Sequence, residues 1–120
     1  MAQEMELADV FLRHSHPTEE GWVCRKNLDF NGVKVEYAYQ REDVIQLISV
    51  NMQDPFVSKK EIERAIAIQD ASKALHPTAI IKIILVYSRL LMNPHYLPKD
   101  ISVVSIMEEG NAQQPKFSKS

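Results

Sequence analysis

Glycine is scarce, with three in 120 residues. A loop that wraps phosphates with backbone amides needs several glycines close together. G-x-x-x-x-G-K-[ST] and G-x-G-x-x-G are both absent, as is the G-x-S-x-G elbow of serine hydrolases. Cysteine occurs once, so no disulfide forms within the chain, and a reducing, cytoplasmic setting is expected. An excess of charge of either sign is also lacking. Fourteen basic residues face sixteen acidic ones, for a net charge of −2 and a pI near 6.1. No bulk field draws in nucleic acid or an anionic membrane, so neither is expected as a partner. Residues 1–12 carry acids where a signal peptide needs cations, so none is expected. The longest apolar run, 79–91, is too short to cross a bilayer and carries Lys82.

What is present is the balance of an ordinary globular chain, 45% hydrophobic and 25% charged. The length implies one domain, placed over residues 1–108 and followed by a polar tail over 109–120, and the pattern of elements below makes it α+β. The stretch from Val57 to Leu91 organises the rest. Ser58 and Glu61 make an S-x-x-E capping box, and Val57 and Ile62 are spaced as a hydrophobic staple. A helix follows with Ile62, Ala65, Ile66, Ile68, Ser72 and Leu75 on one face and Lys59, Glu63, Asp70 and Lys73 on the other. It stops by Leu75 or His76, because the residue before Pro77 is driven out of the α region.

Two readings compete for 79–91. As a helix opened by Pro77, it shows a polar seam of Thr78, Lys82, Leu85 and Arg89. As a strand over 80–87, it is Ile/Val-rich and buried on both faces. Its length and the spacing of Lys82 and Arg89 favour the helix.

Earlier in the chain, residues 3–14 have amphipathic helical spacing, with Glu4, Glu6 and Asp9 near the start and Arg13 and His14 near the end, as the helix dipole prefers. Residues 21–28 and 33–40 flank an Asn31-Gly32 hairpin signal. Val33, Val35, Tyr37 and Tyr39 alternate with Lys34, Glu36, Ala38 and Gln40, which predicts one apolar, aromatic face. Residues 43–52 predict a third strand and 101–107 a last one. The fold expected is therefore an N-terminal helix, a three-stranded antiparallel meander, two helices and one C-terminal strand.

Catalytic signals are weak throughout. His14 and His16 form an H-x-H pair at a helix end, where the spacing does not aim both rings at one metal. A third ligand from His76, His95 or Cys24 is not dictated by any spacing, and no metal or cofactor is expected. Cys24, in mid-strand, reads as a small buried hydrophobe. Glu19-Glu20 and Glu108-Glu109 are adjacent pairs that point apart on a strand, so neither forms an acid/base dyad.

The order helix–strand–strand–strand–helix over residues 3–75, with Lys59 and Lys60 opening the last helix, resembles the double-stranded-RNA-binding domain. That resemblance implies lysines gripping phosphates at a helix start. The sequence departs from it in having Gln53-Asp54-Pro55-Phe56-Val57 where that family is glycine-rich.

The function expected is that of a non-catalytic adaptor, similar to small chaperones, inhibitors or immunity proteins. It would bind a protein partner or a second copy of itself through Trp22, Phe30, Tyr37, Tyr39 and Phe56. Double-stranded nucleic-acid binding through Lys59, Lys60, Lys82 and Arg89 stands second. A metal-dependent hydrolase using His14 and His16 stands third.

Overall fold

The structure is a computed structural model. It describes residues 2–30, 32–92, 94 and 96–106, and of residues 2–6 the backbone alone. The expected tail over 109–120 lies outside the described residues, as do Met107, the Asn31 of the hairpin turn and His95.

The chain runs α1 (Ala2–Ser15), β1 (Val23–Phe30), β2 (Val33–Arg41), β3 (Val44–Asn51), α2 (Lys59–Leu75), β4 (Ile80–Tyr87) and β5 (Ile101–Ser105), with one 3-10 turn at Thr18–Glu20. All five strands join one mixed sheet in sequence order. The pairs β1–β2 and β2–β3 are antiparallel, whereas β3–β4 and β4–β5 are parallel.

This corrects the expected architecture. The 79–91 stretch is not a second helix after α2 but the interior strand β4, followed by a loop. Residues 88–100 connect β4 to β5, a span that suits a parallel crossover of a dozen residues or more. The physical reason is two-sided burial. Ile81, Ile83, Leu85 and Tyr87 face the layer that contains Ala65 and Ile68 of α2, and Ile84 and Val86 face the layer that contains Leu12 of α1. A strand covered on both faces has no polar alternation, so its apolar run is continuous. The resemblance to the double-stranded-RNA-binding domain also ends here, because β4 and β5 extend the meander as parallel strands.

The serine half of the capping box opens α2, and the expected return bond from Glu61 to the Ser58 amide is not among those of the described residues. Ser58 is extended, and its hydroxyl accepts from the Glu61 amide at 3.1 Å. Such a cap contributes about 1 kcal/mol. The Glu61 carboxylate turns along the helix to Arg64 at 3.8 Å. Buried Gln69 donates toward the carbonyls of Ile81 and Lys99, which ties α2 to β4 and to the segment before β5.

The hairpin face is not as expected either. Leu28, Phe30, Val33 and Val35 pack on the α2 side, but Tyr37 and Tyr39 pack on the α1 side. The alternation reverses where the ladder skips Asn27 and Glu36. Asn27 takes φ 58°, a left-handed conformation that asparagine tolerates better than most residues. Beyond the end of the β2–β3 ladder, the Glu36 carboxylate accepts from the Val50 amide at 3.1 Å.

Candidate nucleic-acid interface

The loops at the carboxyl end of the parallel pair β3–β4 converge on the start of α2. Open sheets with parallel strands place ligands at this end. The chain leaves β3 at Asn51, whose side chain holds the next turn through the amides of Gln53 and Asp54 and the Asp54 carboxylate. After β4 it returns to the same place, where the Leu91 amide donates to the Pro55 carbonyl at 3.0 Å. Lys59 and Lys60, exposed on the first turn of α2, therefore share this end with exposed Arg89. Neither lysine has an ion-pair partner among the described residues. The helix start adds a positive dipole end, with the Glu61 amide already taken by the Ser58 hydroxyl.

Beside the lysines lies a groove of about 490 Å³ lined by Phe56, Ile62, Ile66, Met92 and Tyr96, with Lys59 among its walls. Phe56 is 48% exposed and Tyr96 73%. Met92 and Tyr96 were not among the residues singled out from the sequence. The cue available was the pair of breaks at Asn93-Pro94 and Leu97-Pro98, which mark a long loop.

Under this end lies Tyr87, fully buried, whose hydroxyl has no hydrogen bond of standard geometry. Burial pushes its phenol up to about 12, the carboxylates of Glu61 and Asp54 add to that, and Asn51 opposes it. Tyr39 and Tyr37 are likewise raised, chiefly by burial.

The remaining candidates do not join this cluster. Lys82 is half-buried and pairs with Gln46 in the β3–β4 ladder, on the α1 side of the sheet and away from α2. Trp22, Tyr37 and Tyr39 are core residues under α1, and Phe30 packs on the α2 side. Only Phe56 of the expected aromatic surface is exposed.

His14 and His16 do not share a face. His14 is exposed, while His16 is 4% exposed, stacked on Tyr39 at 4.1 Å and edge-on to Trp22 at 4.8 Å. Its Nδ1 meets the Leu12 carbonyl and its Nε2 meets the Gln46 side chain, so both ring nitrogens are engaged within the protein. His76 is exposed at the far end of α2, and Cys24 is exposed on β1 instead of buried. No group of three or more metal-ligating side chains occurs among the described residues. No helix among them is long and apolar enough to cross a membrane.

No protein-family model matches this chain, and no curated protein matches it. Among solved structures it is similar to a repair endonuclease from Pyrococcus abyssi, with a TM-score of 0.58 and 13% sequence identity. The match covers 90% of this chain and 47% of that one, so the chain spans about half the length of the structure it matches. At this identity the likeness shows the fold. Together with the burial of Trp22, Tyr37 and Tyr39, it corrects two expectations, that of a non-catalytic adaptor with an aromatic face and that of nucleic acid as an improbable partner.

Proposed function

We propose that this chain binds nucleic acid through the loops that meet the start of α2. The observation that carries the reading is the pair Lys59 and Lys60, exposed and without ion-pair partners on the first turn of a helix. Cations at the positive end of a helix dipole suit a phosphate. Arg89 is placed to extend the contact along the backbone. Phe56 and Tyr96 offer ring faces beside it, on which an unpaired base would stack. The likeness to a repair endonuclease supports the reading at the level of fold.

The overall charge of −2 does not oppose it, since binding depends on the local cluster. Phosphate contacts position the ligand without reading sequence, so weak sequence preference is part of the proposal. Carrying the neighbour's activity over as well gives the finer reading, hydrolysis of the bound strand.

Fluorescence anisotropy with labelled duplex and single-stranded oligonucleotides tests the binding. The full-length chain should bind at low salt, with affinity falling linearly on a log–log plot against salt. Lys59→Ala with Lys60→Ala should lower that slope by about 1 to 2 and weaken binding about tenfold or more. Adding magnesium or manganese reads hydrolysis as shortened strands. Absence of binding at low salt, or a salt slope that the double substitution leaves unchanged, would remove the proposal.

A further inference from the structure

At the other end of α2, the last helical turn passes over β1 and β2 and leaves a second cavity. It measures about 40 Å³. One water needs about 10–15 Å³ on this measure, so the space exceeds a single water and suits a small ion. Ala38 and Leu47 form part of its apolar floor, and four side chains able to donate surround it: Arg25 from β1, Gln40 from β2, and Ser72 and His76 from the end of α2.

Ser72 is the informative member. It is 1% exposed, and its hydroxyl has no hydrogen-bond partner among the described residues. A buried hydroxyl left unpaired is destabilising, and such groups in folded proteins usually have a partner that the protein side chains alone do not show. Arg25, at the mouth, has no ion-pair partner among the described residues. A guanidinium is always charged and only donates. Water would satisfy the serine as well; what favours an anion over water is the fixed positive charge of the exposed Arg25 guanidinium beside it.

The carbonyl end of the α2 dipole works against an anion here. That effect is weaker than one charge-assisted hydrogen bond from a guanidinium. The Ser72 carbonyl is moreover already taken by the His76 amide at 2.9 Å.

We infer that this cavity is a binding site for a small oxyanion of phosphate size, held by Arg25 at the mouth and by the Ser72 hydroxyl inside, with Gln40 and His76 completing the ring. The inference stands independently of the proposed nucleic-acid contact at the other end of α2. The oxyanion has two sources, free phosphate or the terminal phosphate of a strand.

Titrating the isotope-labelled full chain with inorganic phosphate, at ionic strength held constant with chloride, tests it. Saturable amide shifts at Ser72 and His76 are expected. Arg25→Gln should weaken phosphate binding about tenfold. Ser72→Ala should weaken it by roughly a few-fold, and that variant should fold at least as stably as the parent because it deletes an unpaired buried hydroxyl. Competition by a 5′-phosphorylated oligonucleotide, and not by its unphosphorylated form, would identify a strand end as the source. Equal behaviour of the two oligonucleotides, with free phosphate still bound, would identify the free ion. No response beyond chloride, or a response unchanged in both variants, would overturn the site.

Discussion

Truncating Leu85 to alanine should cost 2–5 kcal/mol, roughly the range for a fully buried leucine. Leu85 lies mid-β4, 2% exposed, between neighbours in β3 and β5, and it packs on the α2 side of the sheet. The size of the effect also decides between the two readings of 79–91. In a helix, Leu85 falls on the polar seam with Lys82 and Arg89, where truncation would cost well under about 1 kcal/mol. In the strand, Leu85 and its neighbour Ile84 are buried on opposite faces. Ile84→Ala should therefore be destabilising by a similar amount. Urea denaturation reads both through the midpoint, with the slope unchanged if only stability is affected. A mild effect at Leu85 beside a severe one at Ile84 would return the segment to the helix.

Alkaline pH should cost the protein a comparable amount. The Tyr87 phenol titrates near 10 in an unfolded chain and about 12 in the folded one, mainly because burial disfavours the phenolate. Between those values the folded state keeps a proton that the unfolded state has lost. The stability this represents is complete below pH 10 and is lost as pH rises through 12. The displacement corresponds to about 2–3 kcal/mol from Tyr87. Tyr37 and Tyr39 shift in the same direction and steepen the fall. Tyr87→Phe should fold normally at neutral pH, since the hydroxyl it deletes has no hydrogen bond of standard geometry. It should also flatten part of the decline. Denaturant midpoints measured from pH 9 to 12 test this, and a constant midpoint in the parent chain would mean that the Tyr87 hydroxyl is in water.

The parts of the molecule that were legible in its sequence are those governed by local chemistry. Ser58 and Glu61 announce a helix start through a hydrogen bond three residues long. Gly32, between two β-rich runs, announces the hairpin, where its φ is 86° and its amide meets the Asp29 carboxylate. Pairing over longer distances left no comparable mark. Whether β4 lies parallel to β3 depends on α2 carrying the chain back across the sheet. The cue to its strand character, an Ile/Val-rich run of eight, is shared with a buried helix. The reversal at Asn27 and Glu36 was hidden because perfect alternation in the sequence is the pattern of a flat strand. It sent Tyr37 and Tyr39 beneath α1, away from Val33 and Val35, and so removed the aromatic face.

The candidate site divides in the same way. Lys59 and Lys60 follow directly from the cap that precedes them. Arg89 joins them only because the chain returns past Pro55, and Lys82 is excluded only because β4 is a strand whose alternate residues face α1. The bond between His16 and Gln46 spans thirty residues of sequence. No spacing rule reaches that far, and it turns a possible metal ligand into part of the packing between α1 and the sheet.

The lysine end can be examined residue by residue. Amide spectra of the labelled chain, recorded while a short duplex or single strand is added at low salt, report which surface the nucleic acid covers. Shifts concentrated at Ser58 to Glu61, Ser88 to Leu91 and Tyr96, fading as salt is raised, are what this account predicts. Shifts confined to β1 and the outer face of α1, with the start of α2 unmoved, would contradict it.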